Sequence, residues 1–153
     1  MFSFNITRAF LSKLRAARDP VEVIFLGSVS ADLAIPRLAT YSASKSFLYQ
    51  MTRCLNTDER YGPPSQVRFA YWNVGSVITN SNVQDKPSFF FPRADQFAKH
   101  AMGIIGCGKE KVIPYAPHAI QQCIVGLLPQ FVVDNLAVAN IQRIIEHTEK
   151  RAE

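Results

Sequence analysis

Two short, nearly continuous runs of apolar residues stand out against longer stretches in which apolar residues recur with helical spacing. The runs are VEVIFLG, residues 21–27, and QVRFAYWNVG, residues 66–75, and each ends at a glycine. Such runs are typical of parallel strands, because both faces of a parallel strand are covered. The helical spacing predicts helices over residues 4–18, 39–60, 93–105, 116–128 and 130–150, with a short extended piece within 107–115.

This order of helices and strands predicts an α/β fold built on a parallel sheet. Only two strands are well marked, and a sheet that small leaves edges and faces uncovered. The pattern therefore indicates one half of a larger doubly wound domain over residues 1–115, followed by a helical extension over residues 116–153. We expect the isolated chain to be marginally stable, because so small a sheet buries little apolar surface.

The composition fits a globular domain and narrows the classes of partner. The chain has 153 residues, of which 48% are hydrophobic and 19% charged, and its formal net charge is +5. Most basic residues are scattered along the chain, which argues against a nucleic-acid interface. Cys54, Cys107 and Cys123 lack the spacing and the histidine partners of a zinc site, so no metal site is predicted and a reducing compartment fits best.

The longest apolar region lies near the C-terminal end, over residues 120–141. Pro129 interrupts it, and Asp134 and Asn135 place polar groups within it, so it is a poor membrane span. A core helix is the simpler interpretation. A helix lying on a membrane surface is the alternative.

The sequence TYSASKSF, residues 40–47, places Tyr41 and Lys45 four residues apart at the start of a predicted helix. On one helix face, an ammonium beside a phenol lowers the phenol pKa towards neutrality and makes the phenol a usable general acid. An ordinary helix surface is the alternative interpretation. Ser28 favours catalysis, because it directly follows a strand and ligands bind at the carboxyl ends of parallel strands. Ser30 is the competing serine.

Three motifs together resemble the short-chain dehydrogenase/reductase family. They are LGSVSA after a strand, YSASK on the next helix, and VRFAYWNVGSVIT as the following strand and turn. The residues that match the family pattern N-P-G-x-V-x-T are Asn73, Gly75, Val77 and Thr79, while Val74 stands where proline is usual. The resemblance covers residues 1–80 and implies the C-terminal half of a Rossmann-like, doubly wound NAD(P)-binding domain with extra C-terminal helices.

The resemblance also implies roles for individual residues. Tyr41 would protonate the substrate carbonyl during reduction, and Ser28 would polarise that carbonyl. Lys45 would hold the nicotinamide ribose and tune the acidity of Tyr41. The residues expected to contact the nicotinamide cofactor are Tyr41, Lys45, Gly75, Val77 and Thr79.

Residues 93–136 are similar, more loosely, to the C-terminal region of the hydroxysteroid dehydrogenase and very-long-chain 3-oxoacyl-CoA reductase branch. This similarity implies NADPH as reductant and a small lipophilic ketone as substrate, either a 3-oxoacyl thioester or a steroid. It also implies a homodimer through the helix carrying Tyr41, peripheral membrane association, and a place in the cytoplasm or on the cytosolic face of the endoplasmic reticulum. The sequence SFFFP, residues 88–92, suits a substrate wall or core packing.

The chain departs from the family pattern in two places. No glycine-rich turn follows a first strand to hold the cofactor pyrophosphate, because Gly103, Gly106 and Gly108 follow a helical stretch and are predicted to be helix-end and turn residues. The family's catalytic asparagine lies upstream of the position matched by Thr7 and would fall at or before Met1. We therefore expect a chain that begins just past that asparagine. The alternative function is a non-catalytic homologue that serves as a dimerisation or binding module.

The three histidines are predicted to have structural or surface positions. His100 and His118 have neither carboxylates nor cysteines at ligand spacing. His147 lies between glutamates in a charged helix end. Neither metal binding nor acid/base catalysis is therefore predicted for His100 or His118.

Overall fold

Helices and strands alternate along the chain in the order that the apolar pattern predicts. The computed structural model describes residues 2–79 and 86–152. Its elements are α1 (Phe2–Arg15), β1 (Val21–Leu26), α2 (Ala39–Tyr61), β2 (Val67–Trp72), α3 (Ala94–Met102), β3 (Lys111–Val112), α4 (Ala116–Gly126) and α5 (Gln130–Ala152). A 3₁₀ turn, Val29–Ala31, follows β1. The predicted α/β class is confirmed.

Three helices end earlier than predicted, and α4 does so by only two residues, at Gly126. α1 ends at Arg15, and the chain then turns towards Pro20, whose ring disfavours helical geometry at the residue before it. α3 ends at Met102, and Gly106 and Gly108 in the following turn have φ values of 80° and 75°. Those values lie in the left-handed region that glycine adopts without steric cost, so the prediction of turn glycines is confirmed there.

The three strands form one parallel sheet in the order β1-β2-β3. β1 and β2 pair along their whole length, from Val21 opposite Val67 to Leu26 opposite Trp72. β3 adds only two residues, opposite the carboxyl end of β2. Because the strands are parallel, their carboxyl ends meet at one edge of the sheet. The arrangement is the partial Rossmann-like sheet that the sequence predicts.

β2 lies in the middle of the sheet and is covered on both faces. On the face towards α1 and α2, the buried cluster consists of Phe25, Met51, Val67, Phe69 and Tyr71. On the face towards α3, it consists of Ala70, Trp72, Ala101 and Val112. Helices on both faces of a parallel sheet are the doubly wound arrangement.

On the side away from β1, the short β3 leaves the first half of β2 without a strand neighbour, and Asn56 of α2 takes that place. Its Nδ2 donates to the Phe69 carbonyl at 2.8 Å, and its Oδ1 accepts from the Phe69 N–H at 2.9 Å. Phe69 is 1% exposed, so its backbone groups need a partner within the protein. One side chain therefore supplies a hydrogen-bond partner to both backbone groups of Phe69.

Large apolar side chains are exposed at several places on the described surface, including α1 and the junction of α4 and α5. Phe2 and Phe10 of α1 are 78% and 52% exposed, and Leu127 and Phe131, at the junction of α4 and α5, are 81% and 68% exposed. Contiguous exposed apolar surface marks contact sites in soluble proteins. Within residues 2–79 and 86–152, no helix has the length and apolar character needed to cross a membrane.

Candidate functional site

Ser28 directly follows β1, in extended conformation, and caps the 3₁₀ turn. Its Oγ accepts hydrogen bonds from the Ser30 N–H at 3.2 Å and from the Ser30 hydroxyl at 3.0 Å. A serine hydroxyl has two acceptor lone pairs and one donor hydrogen, so these contacts leave the Ser28 hydrogen for a third group. Ser30 is only 3% exposed. The competing serine is therefore buried behind Ser28 and orients its hydroxyl.

α2 places Tyr41 and Lys45 within its first two turns. The Lys45 Nζ lies 5.5 Å from the centroid of the Tyr41 ring and donates to the Leu26 carbonyl at 2.9 Å. Leu26 is the last residue of β1, two residues before Ser28. The lysine ammonium therefore lies at the same end of β1 as Ser28, and it has three donors, of which the Leu26 carbonyl uses one.

A second contact fixes α2 to the turn after Ser28. The Ser46 hydroxyl donates to the Ala31 carbonyl at 2.8 Å, although it also lies 3.1 Å from the Ser42 carbonyl within the helix. Tyr41 is 44% exposed, so its phenol is open to a ligand. The structure thus brings Ser28, Tyr41 and Lys45 to one edge of the sheet and leaves the tyrosine accessible.

Asn73, which matches the first position of the pattern N-P-G-x-V-x-T, is buried and contacts several elements. It is fully buried, and its Nδ2 donates to Asp32 Oδ2 at 2.8 Å and to Gln122 Oε1 at 2.9 Å. The Lys111 Nζ donates to the same Asp32 oxygen at 2.7 Å. This polar cluster links the end of β2 to the turn after Ser28, to β3 and to α4, so it fixes where the segment after β2 begins.

Gly75 has no room for a side chain, because it packs against His118 of α4. A Cβ built on Gly75 would lie 2.8 Å from the imidazole Cγ. His118 is fully buried, and its Nε2 lies 3.2 Å from the Ser76 carbonyl and 3.1 Å from the Phe90 carbonyl. The imidazole therefore joins the segment after β2 to the aromatic sequence at residues 88–92.

The protonation state of His118 follows from these contacts. Burial lowers its pKa below the ordinary value, and the hydrogen bonds to the two backbone carbonyls oppose that change. Two acceptors at Nε2 require the hydrogen to be on that nitrogen, while Nδ1 is buried with no hydrogen-bond partner among the described residues. His118 is therefore neutral near pH 7. The absence of ligand spacing in the sequence is consistent with this structural position, but nothing in the sequence reveals its two carbonyl partners.

The other predicted cofactor residues, Val77 and Thr79, lie in an extended segment on either side of Ile78. The Ile78 N–H donates to the Pro92 carbonyl at 3.0 Å, and Ile78 forms a parallel bridge with Arg93. The segment thus leads away from the carboxyl end of β2 with a fixed backbone. Residues 80–85, which follow Thr79, lie outside the described residues.

Phe89 and Phe90 are 61% and 37% exposed, and their rings meet edge to face at 5.2 Å. Core packing is therefore wrong as an interpretation of these two side chains. The hydrogen bond from His118 to the Phe90 carbonyl holds this aromatic surface beside the segment that contains Ser76. An apolar surface next to the predicted site suits an apolar ligand.

A cavity of about 430 Å³ lies at the opposite end of the sheet from Ser28. Its lining includes Glu22 and Val67, at the amino ends of β1 and β2, together with Glu59 and Arg68. None of the predicted catalytic or cofactor residues lines it. We assign the functional site to the carboxyl ends of the strands, because in open parallel sheets ligands bind there.

Comparison with known proteins identifies relatives of this chain. Residues 2–87 match the family model described as short chain dehydrogenase. A very-long-chain 3-oxoacyl-CoA reductase-like protein of Arabidopsis thaliana is 28% identical over 84% of this chain and 42% of its own length. A hydroxysteroid dehydrogenase-like protein of Gallus gallus is 30% identical over 72% of this chain and 33% of its own.

A fungal protein and a solved bacterial structure are also similar to this chain. A very-long-chain 3-oxoacyl-CoA reductase of Pyricularia oryzae is 31% identical over 76% of this chain and 35% of its own length. Among solved structures, a short-chain dehydrogenase from Streptomyces avermitilis aligns with a TM-score of 0.44 at 16% identity, over 96% of this chain and 56% of that one. The chain thus spans between a third and a half of the length of these curated relatives.

Proposed function

The chain belongs to the short-chain dehydrogenase family, and on that premise we propose that it forms the catalytic half of an NADPH-dependent oxidoreductase that reduces a lipophilic ketone. The observation that carries the proposal is the placement of Lys45 against Leu26 at the end of β1, beside Ser28 and with Tyr41 exposed on the same helix. An acid, a hydrogen-bond donor and a cation at one sheet edge are the groups that carbonyl reduction requires.

Each of the three side chains has a distinct task in the proposed reaction. Ser28 donates a hydrogen bond to the ketone oxygen, using the hydroxyl hydrogen that its contacts with Ser30 leave available. Tyr41 transfers its phenolic proton to the same oxygen as negative charge develops there. Lys45 binds the nicotinamide ribose with its ammonium group and stabilises the phenolate that Tyr41 becomes. When bound, NADPH supplies the hydride that the carbonyl carbon accepts.

The residues present fit the nicotinamide end of the cofactor. Lys45 supplies a cation with several donors, and the segment from Gly75 to Thr79 leads away from the carboxyl end of β2 with its backbone held at Ile78. We assign Gly75, Val77 and Thr79 to contacts with that end. The sequence contains no glycine-rich turn between a strand and a helix, so no residue of this chain is assigned to the pyrophosphate.

The proposed substrate is a 3-oxoacyl thioester or a steroid ketone. Two relatives are named as very-long-chain 3-oxoacyl-CoA reductase or similar to it, and another as hydroxysteroid dehydrogenase-like. The exposed rings of Phe89 and Phe90 beside the site give an apolar surface for such a substrate. The preference for NADPH over NADH is part of the proposal and rests on the family branch.

Replacing Tyr41 by phenylalanine tests this function. Turnover of a 3-oxoacyl thioester, followed by loss of NADPH absorbance, should fall by at least about 100-fold, because the phenolic proton is lost while the ring remains. Tyr61→Phe is the matched control, since Tyr61 ends the same helix and is 80% exposed. Equal turnover in Tyr41→Phe and Tyr61→Phe would remove Tyr41 from the mechanism.

A second candidate is a non-catalytic module that binds another copy or a full-length relative. The exposed Phe47 on α2, 47% exposed, and the exposed Phe2 and Phe10 on α1 favour it, because they offer apolar contact surface. This candidate predicts a dimer in sedimentation that Phe47→Ser weakens, with no response of the chain to NADPH. A monomer at micromolar concentration would exclude the binding of another copy.

We also propose peripheral association with the cytosolic face of the endoplasmic reticulum membrane. Between Lys111 and Asp134 the sequence contains no Asp, Glu, Lys or Arg, and Leu127 and Phe131 within that stretch are exposed. Exposed apolar side chains at a helix junction can insert into the interface of a bilayer. Flotation with phosphatidylcholine vesicles should be lost in Leu127→Ser, and equal flotation of both proteins would contradict the proposal.

A further inference from the structure

The outer edge of β1 contains backbone groups that β2 does not reach. The Gly27 N–H donates to the Trp72 carbonyl at 2.8 Å, and the Val29 N–H donates to the Val74 carbonyl at 3.0 Å. Successive residues of a strand direct their backbone groups to opposite sides, so Ser28, between these two, directs its N–H and its carbonyl away from β2. In the described sheet β1 is the edge strand, so no strand supplies partners on that side.

The hydroxyl of Tyr71 supplies both partners. It accepts from the Ser28 N–H at 3.1 Å and donates to the Ser28 carbonyl at 3.2 Å. Tyr71 belongs to β2, where it pairs with Phe25, and it is fully buried. Its side chain therefore crosses the face of β1 and reaches the outer edge of that strand. There the phenol supplies the two backbone hydrogen bonds that a neighbouring strand would otherwise make with Ser28.

Gly27 makes this crossing possible. Gly27 lies two residues after Phe25, so a side chain there would project on the same face of the sheet as that of Tyr71. A Cβ built on Gly27 would lie 2.0 Å from Cζ of the Tyr71 ring, which is far closer than two carbon atoms approach. Gly27 and Tyr71 therefore fit each other as a pair, and the glycine at the end of the strand is required by packing.

The chemistry of the phenol suits a permanent hydrogen-bonding role. Burial raises the pKa of Tyr71, the hydrogen bond with the Ser28 backbone opposes this, and the nearby Asp32, Tyr41 and Tyr49 raise the pKa further. The hydroxyl therefore keeps its proton at physiological pH and can donate and accept at once.

We propose that Tyr71 is a positioning residue that fixes the backbone of Ser28 and thereby aims the Ser28 hydroxyl at the substrate carbonyl. The catalytic role of Ser28 rests on the proposed function, whereas the hydrogen bonds between Tyr71 and the Ser28 backbone do not. Nothing in the motif around Ser28 points to Tyr71, because the two residues are far apart in sequence and only the strand register brings them together.

The first test uses the unaltered chain and needs no activity. In its NMR spectra, the Ser28 amide proton should show a nuclear Overhauser effect to the Tyr71 ring protons, and that amide should exchange slowly with solvent. Absence of that effect in a folded chain, or rapid exchange of the Ser28 amide, would overturn the proposal. Because this test concerns only the backbone of Ser28, it gives a result even if the chain turns over no substrate.

The second test removes the hydroxyl alone. In Tyr71→Phe the Ser28 amide should exchange about tenfold faster, whereas Tyr49→Phe, which removes a hydroxyl from the ring 5.1 Å away, should leave its exchange unchanged. Turnover of the ketone by Tyr71→Phe should fall about tenfold or more in kcat with the NADPH KM unchanged, since a misdirected donor weakens only the reacting state.

The outcomes separate the two claims. Faster Ser28 exchange with unchanged kcat would retain the backbone contact and overturn the positioning role, and equal exchange in both variants would overturn both. If the unaltered chain has no activity, the proposed function fails while Ser28 exchange still decides the contact. If Tyr71→Phe does not fold, Gly27→Ala and the Overhauser measurement test the contact between Tyr71 and Ser28. The methyl group added at Gly27 must push the Tyr71 ring away from Ser28, so the Ser28 amide should exchange faster.

Discussion

Adding one methyl group at Gly75 tests whether His118 and the segment after β2 are packed as described. In Gly75→Ala the new Cβ would lie 2.8 to 2.9 Å from three atoms of the imidazole, so one of the two residues must move. His118 is fully buried, its ring lies 5.0 Å from that of Tyr115, and its Nε2 is bonded to two carbonyls. The ring therefore has little freedom to shift, and the backbone around Ser76 must give way.

Overpacking of a well-packed interior costs about 1–3 kcal/mol, and we expect Gly75→Ala to lie in the upper half of that range. Unfolding in urea can be followed by the fluorescence of Trp72, the sole tryptophan, which is buried in the β2 core. Gly126→Ala is the control, because a Cβ built on Gly126 would have no neighbouring atom of the described residues within 4 Å and alanine favours helix. Gly126→Ala should leave the free energy of unfolding unchanged or raise it slightly.

A double-mutant cycle assigns the cost to the imidazole. In a His118→Ala background the methyl group at Gly75 has room, so Gly75→Ala should cost at least about 1 kcal/mol less than it does with His118 present. A change of under about 0.5 kcal/mol for Gly75→Ala with His118 present would refute the packing argument. Equal costs in the two backgrounds would show that the strain arises elsewhere.

Three further predictions follow from the hydrogen bonds of the site and the sheet. The pKa of His118 is lower in the folded state than in the unfolded chain, where it is about 6.5. The stability that neutral His118 contributes is therefore complete above that value and is lost as the pH falls below it. The urea midpoint of the unaltered chain should decrease from pH 7.5 to pH 5.5, and the midpoint of His118→Gln should decrease less. Asn56→Ala removes both partners of the Phe69 backbone and should cost about 3 kcal/mol in urea unfolding. Ser30→Ala should lower kcat for ketone reduction about tenfold, because the Ser28 hydroxyl loses the group that orients it. Ser28→Ala should lower kcat considerably more, because it removes that hydroxyl altogether.

Each of these has a contradicting result. A His118→Gln variant with the same loss of stability at low pH as the unaltered chain would exclude His118 as the titrating group. For Asn56, Gln50→Ala on the exposed side of α2 is the control, and equal costs in the two variants would refute the role of Asn56 in the sheet. Full activity of Ser30→Ala would show that Ser28 needs no support from its neighbour.

The elements could be predicted from the sequence because each carries a local pattern. The apolar runs at residues 21–27 and 66–75 become β1 and β2, and the helical spacings become helices with ends displaced by a few residues. β3 lies within the extended piece predicted over residues 107–115, but a strand of two residues is too short for periodicity to fix its bounds or its pairing. Its pairing with β2 depends on the turn that contains Gly106 and Gly108 and on the Lys111 side chain, which donates to Asp32.

The candidate site could be predicted only where a motif marks it. Spacing alone puts Tyr41 and Lys45 on one helix face, and the end of a strand marks Ser28. The supports of these residues could not be predicted, because the contacts of Tyr71 with Ser28 and of His118 with Ser76 join residues 42 or 43 positions apart. Such contacts depend on strand register and helix docking, which no short motif encodes.

We propose that Ser28, Tyr41 and Lys45, together with the segment from Gly75, form one nicotinamide site at the carboxyl ends of β1 and β2. The most direct measurement is a titration of the isotope-labelled chain with NADPH, followed through its backbone amide resonances. We expect saturable shifts at Ser28, Tyr41 and Gly75, with little change at Val67 and Arg68 at the opposite end of the sheet. No shift at millimolar NADPH, or shifts confined to the cavity that Val67 and Arg68 line, would contradict it.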